Sequence, residues 1–273
     1  MRAAIWIAIV VAACGPGARQ DDDNFGDDDG SGSNTGSGSD TGDGGVTVNV
    51  YAHTATELYS VNPDTLAITK VGNFGWPSGT TDEMTDIAID KTGDMLGVSF
   101  GSVYRIDPTN AKTTRLTNNL TGGFNGLSFV PAEMLGQTGD DILVGTRNSD
   151  GKVFEIDPNS GATTQVGDMG GGYSSSGDLV AVEGFGTVQT VAGVSGDVLT
   201  KLAPNSFTAS AIGSGTGYSQ IWGVAFWKNK IYGFTNGGAF ILIDATTGVG
   251  TMVQQNGPAW YGAAVTTAAP VIQ

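Results

Sequence analysis

Histidine and cysteine are almost absent from this sequence, which contains only His53 and Cys14. Zinc sites draw their ligands mainly from cysteine and histidine, and a serine–histidine–aspartate triad needs a histidine as its base. With one histidine we expect neither constellation, and we expect no metal and no cofactor. Cys14 has no second cysteine with which to form a disulfide, so the folded part has no thiol chemistry.

Basic residues are also scarce, with 12 Lys and Arg against 27 Asp and Glu and a formal net charge of −15. No basic stripe follows any part of the chain, and binding to a phosphate backbone depends on such a stripe. The composition therefore excludes nucleic acid as an expected partner. An anionic membrane surface would repel the domain itself. We expect a monomer.

Helical periodicity is missing too, and 44 glycines indicate many tight turns. One pattern instead recurs at spacings of 45, 50, 46 and 41 residues, which is typical of a repeat architecture. Its five copies occupy residues 58–72, 103–117, 153–167, 199–213 and 240–254.

The copy at 153–167 predicts a β-hairpin, because apolar and polar residues alternate on both sides of a turn. In that turn Asp157 can accept backbone hydrogen bonds, Pro158 fixes φ, and Gly161 tolerates the left-handed conformation. The copy at 199–213 lacks both the aspartate and the glycine, so we expect a looser turn there.

A further pair of strands lies between successive hairpins, so each unit is a four-stranded meander of the kind that forms a propeller blade. One strand only precedes the first hairpin, Val46–Ala52, and one only follows the last, Trp260–Thr266. We therefore predict an all-β fold, a single propeller of five four-stranded blades over residues 46–273. The C-terminal strand joins the three strands of Val46–Val71 and closes the ring, which removes the open edges.

The N-terminus predicts export. A short apolar run ends in Val11-Ala12-Ala13-Cys14, which resembles the lipobox of bacterial lipoproteins. That resemblance implies a signal peptide at 1–13, lipidation of Cys14 and attachment to a membrane through the lipid; the alternative is an ordinary secretory signal with a stray cysteine. Gly15 in place of aspartate favours the outer membrane of the cell envelope. Residues 14–45, rich in Asp, Gly and Ser, are expected to form a disordered tether.

The repeat also resembles a family. Its pattern, Leu or Val, an aromatic residue, any residue, Ile or Val, then Asp-Pro or Asn-Pro, is similar to that of bacterial extracytoplasmic propellers of the NHL and gluconolactonase-like types. The resemblance covers about 220 residues. It implies the fold, whereas function varies widely among propellers, which include binding modules, hydrolases and isomerases.

Ligands of propellers usually bind where loops enter the inner strands, a surface that we call the loop face. Aromatic rings collect in those loops and suit a glycan or an extended peptide. We predict five ligand contacts: Trp76, Tyr173, Tyr218, Trp222 and Trp260. The alternative is that several of these rings plug the channel or cover the blade tops.

Two carboxylates, Asp86 and Asp178, begin inner strands where the other blades have glycine. A pair of carboxylates near the channel mouth could hydrolyse a glycosidic bond. Alternatively, both side chains accept hydrogen bonds from backbone N–H groups at the blade tops. The sequence thus favours a lipid-anchored binding or scaffold propeller, with a glycan hydrolase that uses this pair as the competing hypothesis.

Overall fold

The computed structural model describes residues 50–272, which form twenty β-strands in five antiparallel sheets of four. The prediction of an all-β, five-bladed propeller is confirmed. Within these residues the one helical element is a 3₁₀ turn, Ala132–Leu135. None of their helices is long and apolar enough to cross a membrane. The predicted signal peptide, Cys14 and the tether to residue 45 lie outside the described residues.

Each blade runs outward from its inner strand. Blade 1 contains β20 (Gly262–Ala264), β1 (Val50–His53), β2 (Glu57–Val61) and β3 (Ile68–Asn73). Blade 2 contains β4 (Asp86–Ile89), β5 (Met95–Val98), β6 (Val103–Ile106) and β7 (Thr113–Thr117). Blade 3 contains β8 (Gly126–Val130), β9 (Ile142–Thr146), β10 (Lys152–Ile156) and β11 (Thr163–Asp168). Blade 4 contains β12 (Ser175–Val182), β13 (Gly186–Gly193), β14 (Gly196–Leu202) and β15 (Ala209–Ile212). Blade 5 contains β16 (Ile221–Trp227), β17 (Lys230–Thr235), β18 (Phe240–Asp244) and β19 (Gly250–Gln254).

Strands from the two ends of the described chain pair in blade 1. In the antiparallel register of β20 and β1, Ala263 lies opposite Ala52 and Gly262 opposite His53. The 1+3 closure predicted from the sequence is consistent with this sheet. The closing strand is shorter than predicted, because Trp260 and Tyr261 precede it and Thr266 makes a separate bridge to Ile89 in blade 2.

Apolar side chains on both faces of the strands fill the seams between neighbouring blades. One cluster joins Leu58 of blade 1 to Ile87 and Tyr104 of blade 2, and a second joins Leu96 of blade 2 to Leu127 of blade 3. The inner strands β4, β8 and β20 are buried along their whole length. Each blade thus contributes apolar surface to two seams, which explains why the strands carry apolar residues on both faces.

The turn of each hairpin has a left-handed residue at the same position, and only two of these five residues are glycine. Gly161 (φ 75°) and Gly248 (φ 72°) are matched by Leu66, Ala111 and Phe207. The turn near 203, for which we expect a looser form, keeps the closing hydrogen bond: Phe207 N–H donates to the Ala203 carbonyl at 2.8 Å, as Gly161 N–H does to Asp157. It differs from the other turns in having a second left-handed residue, Asn205. The Phe207 ring is 2 % exposed and packs in the seam of blades 3 and 4, so apolar burial replaces the Asn or Asp side chain that caps the other turns.

Candidate functional site

A cavity of about 310 Å³ lies at the centre of the loop face. Every blade contributes to its wall a residue within one position of the start of its inner strand: Thr85, Asn125, Ser176, Trp222 and Tyr261. Such a volume is at the lower end of the range for small-molecule sites. The central opening of the propeller is therefore a compact pit rather than a groove.

Close approach of the inner strands places these five residues around one opening. A Cβ on Gly126 would lie 2.7 Å from the Gly177 carbonyl oxygen in blade 4, and one on Gly223 would lie 2.6 Å from the Gly262 backbone in blade 1. A Cβ on Gly262 itself would lie 2.1 Å from Asp86 Oδ1. Because these positions admit no side chain, the strands converge and the residues before them meet at the mouth.

Aromatic rings and uncharged polar groups line most of the pit. The rings of Trp222 and Tyr261 lie 5.5 Å apart at 90°, so they form two adjoining walls. Phe100, from the loop between β5 and β6, also lines the pit and is 65 % exposed. The side-chain oxygen of Asn125 is buried without a hydrogen-bond partner. Flat rings beside amide and hydroxyl groups are suited to a polar ligand with an apolar face.

Of the five aromatic residues predicted as ligand contacts, the structure brings Trp222 to the pit. The other half-buried rings cover blade tops. Trp76 packs against Tyr104 at 5.1 Å, while Tyr173 and Tyr218 pack onto the apolar clusters of outer seams. These three rings match the alternative interpretation, in which loop aromatics cover the blades.

Trp260 lies inside the core. Its indole is 1 % exposed and contacts Tyr59 at 5.1 Å and Phe234 at 5.4 Å, in the seam where blade 5 meets blade 1. A ligand on the surface cannot stack on a ring in this position. The neighbouring residue Tyr261 faces the pit instead.

Asp86 lies on the axis of the propeller, directly after the lining residue Thr85, and has no exposed surface. Its Oδ1 accepts a hydrogen bond from Ile87 N–H at 2.8 Å, and its Oδ2 accepts one from Leu127 N–H at 2.7 Å. Because Leu127 belongs to blade 3, this carboxyl group connects two inner strands.

Asp178 of blade 4 is buried in the same way. Its Oδ1 accepts a hydrogen bond from Leu179 N–H at 2.6 Å. Its Oδ2 accepts hydrogen bonds from Val224 N–H at 2.9 Å and Ala263 N–H at 3.3 Å. Blades 4, 5 and 1 are thereby joined at the axis through one carboxyl group.

The two carboxyl groups also interact with each other, and we call them the axial pair. Burial raises the pKa of Asp86 well above its ordinary value, and the neighbouring Asp178 raises it further. Burial raises the pKa of Asp178 to about 8. Two carboxyl groups in contact cannot both be ionised without strong repulsion, so the axial pair retains at least one proton at neutral pH.

His53 completes this buried polar group. Its Nε2 lies 3.7 Å from Asp86 Oδ1, and its Nδ1–H donates to the Thr54 carbonyl at 2.8 Å. Burial lowers the pKa of His53 to about 4, against a smaller opposing effect of the Thr54 carbonyl. The imidazole is thus neutral at physiological pH, and its contact with Asp86 is not an ion pair.

The chain after β20 covers the opposite end of the axis. Thr266 Oγ1 donates to the Asp90 carbonyl at 2.7 Å, and the Thr267 carbonyl accepts from Glu183 N–H at 2.8 Å. Pro270 then accepts from Lys228 N–H at 2.9 Å. This segment therefore crosses beneath blades 2, 4 and 5, which makes the pit on the loop face blind.

Another cavity, of about 330 Å³, lies away from the axis on the face opposite the loops. Its walls include Pro63 of blade 1 and Trp227, Lys228 and Tyr232 of blade 5. Only two blades contribute to it, so it lacks the convergence of the central pit. Among residues 50–272, no group of three or more His, Cys, Asp and Glu residues is arranged to hold a metal ion.

Sequence reasoning missed most of the lining residues, although the repeat carries a signal for them. Thr85, Asn125, Trp222 and Tyr261 each immediately precede the aspartate or glycine that is equivalent between repeats. In blade 4 an irregular register between Ser175 and Leu179 shifts the lining residue by one position, to Ser176.

Comparison with known proteins supports the fold. No family model matches the sequence, and no curated protein matches it. Among solved structures, one chain of the crystal structure of a nidogen–laminin complex is similar, with a TM-score of 0.51 and 9 % identity. The match covers 80 % of this chain and 97 % of that chain. The shared feature is the β-propeller fold. At this identity the similarity carries no information about ligand or activity.

Proposed function

We propose that this protein is a lipid-anchored, non-enzymatic binding propeller of a bacterial cell envelope, and that it binds the end of a glycan in the central pit. The observation that carries the proposal is the convergence of all five blades on one pit of about 310 Å³. A site built from separate inner strands is held rigidly by the fold, and rigid sites lose little entropy on binding.

The shape and lining of the pit favour a glycan over an extended peptide. An extended chain needs a groove or a free sheet edge, whereas this pit is blind and the ring of blades is closed. Trp222 offers a flat face to a sugar ring, and Asn125 and Asn148 offer amide groups to its hydroxyls. The propeller therefore accommodates one or two sugar units better than a polypeptide segment.

The axial pair does not support the competing hydrolase. The two carboxyl groups of a glycosidase flank the scissile bond and must reach the substrate. Asp86 and Asp178 have no exposed surface and do not line the pit. Their hydrogen bonds to backbone N–H groups are those of residues that join the blades.

Attachment to the envelope is inferred from the sequence alone. The lipobox-like segment ending in Cys14 supports an anchor, and residues 14–45 supply a tether between lipid and propeller.

A glycan array followed by titration of the best ligand tests the proposal. Trp222→Ala should weaken binding about fivefold or more, because aromatic anchors commonly contribute more than about 1 kcal/mol each. Trp76→Ala is the matched control, since Trp76 packs on Tyr104 outside the pit. If Trp222→Ala binds as well as the wild type while Trp76→Ala does not, the ligand binds elsewhere on the loop face and the proposed site is wrong.

A further inference from the structure

We propose that the sugar bound in the central pit carries a free, protonated amine. The inference rests on the proposed function and names the class of glycan: amino sugars that are not acetylated. Three features of the pit support it: the sign of its charge, its aromatic walls and its unpaired hydrogen-bond acceptor.

The charge of the lining is entirely negative. Among the lining residues that the structure describes, Glu83 is the one ionisable acid, and none is lysine or arginine. The Glu83 side chain is exposed, so its carboxylate can pair with an ammonium group without first being desolvated. The whole chain carries a formal charge of −15, which attracts cations and repels acidic sugars over longer distances.

The aromatic walls favour a cation over a neutral group. Trp222 and Tyr261 stand at 90° to each other, and Phe100 adds a third ring at the rim. A cation near the face of an aromatic ring gains energy from the ring quadrupole, most strongly with tryptophan. A sugar ring stacked on one wall would thus place an amine substituent near the second.

Asn125 supplies the remaining feature. Its side-chain oxygen is buried and accepts no hydrogen bond, which is costly inside a protein. An ammonium group brings three donors and no acceptor, so it satisfies such an oxygen without creating a new unpaired group. Glu83 and Asn125 approach the pit from loops of different blades, and together they suit one ligand cation.

Three β-1,4-linked disaccharides that differ only at carbon 2 test the inference: cellobiose with hydroxyl groups, diglucosamine with amines, and diacetylchitobiose with acetamides. Binding of each to the full protein is measured by calorimetry at about pH 6.5, below the range in which such amines lose their proton. We expect diglucosamine to bind roughly tenfold more tightly than cellobiose, from cation–π attraction plus a partly exposed ion pair. Raising the ionic strength to about 1 M should reduce this preference, because the Debye length falls to about 3 Å.

Two matched variants locate the effect. Glu83→Gln should reduce the preference for diglucosamine over cellobiose by about threefold. Glu183→Gln makes the same change at an exposed glutamate beneath the propeller, where the N–H of Glu183 contacts Thr267, and it should alter nothing.

Equal binding of all three disaccharides would overturn the amine preference while leaving the proposed glycan site intact. A preference that is as large in Glu83→Gln as in the wild type would remove the carboxylate from the argument and overturn the inference as stated. Absence of binding by all three would also overturn it, and the glycan array would then decide the proposed function separately.

Discussion

The axial pair makes the stability of the propeller depend on pH in a window where few other groups titrate. In the unfolded chain both carboxyl groups ionise near their ordinary pKa of 3.8, whereas burial raises both pKa values in the folded protein, that of Asp178 to about 8. Between those values the folded state holds protons that the unfolded state has released. Stability therefore falls as the pH rises through this range.

His53 has the opposite effect, in a different part of the range. Its pKa falls from 6.5 to about 4 on burial, so its contribution is present above pH 6.5 and is lost as the pH falls towards 4. The two effects oppose each other below pH 6.5, and above it only the axial pair remains. The chain has no other histidine, and its one cysteine is Cys14.

The expected magnitude follows from linkage. Each proton retained only by the folded state lowers stability by about 1.4 kcal/mol per pH unit, hence by about 2 kcal/mol between pH 6.5 and pH 8 for each carboxyl that stays protonated. Set against a typical total of about 5–15 kcal/mol, such a loss is readily measured by urea unfolding at several pH values.

Two variants test whether the axial pair causes the pH dependence of stability. Asp86→Asn leaves one titrating carboxyl and should halve the slope of stability against pH, while costing about 1–3 kcal/mol because an amide cannot accept both backbone N–H groups. Asp94→Asn removes a surface partner of Arg105 and should leave the slope unchanged. A wild-type stability that is flat from pH 6.5 to pH 8, or an unchanged slope in Asp86→Asn, would refute this account.

Three further outcomes are expected. Deleting residues 258–273 removes β20 and the buried Trp260, whose indole alone is worth about 3–5 kcal/mol, so cooperative unfolding should be lost in calorimetry; a truncated protein that still unfolds cooperatively would contradict the closure. Gly262→Ala should destabilise by about 1–3 kcal/mol or more, since its Cβ would lie 2.1 Å from Asp86 Oδ1, whereas Gly101→Ala meets open space and should be neutral in the same urea assay. Cys14→Ser should release the protein from the membrane fraction, and a Ser variant that remains lipidated would exclude the lipobox interpretation.

The fold can be predicted from the sequence because each repeat contains its own turn residues and its own alternation of apolar and polar residues. The hairpin at Asp157–Gly161 predicts one blade, and five copies with unpaired end strands predict the closed ring. The turn near 203 is the exception, because local chemistry does not show that Phe207 is buried between blades and held in the left-handed conformation by packing.

The site is harder to predict from the sequence, because it depends on the register of the strands. Trp260 and Tyr261 are adjacent in sequence, yet one fills a seam and the other lines the pit. A shift of one residue reverses such an assignment, and the register is fixed by the approach of glycine positions in neighbouring strands. Burial of Asp86 and Asp178 likewise arises from contacts across blades, through backbone groups more than 40 positions away in the chain.

The most direct test of the central claim, that the pit binds a ligand, is an NMR titration of the tryptophan indole N–H signals with diglucosamine. Among residues 50–272 the tryptophans are Trp76, Trp222, Trp227 and Trp260, and of these only Trp222 lines the central pit. We predict a saturable shift of the Trp222 signal with little change in the other three. A shift confined to Trp76 or Trp227, with Trp222 unaffected at saturation, would contradict the claim.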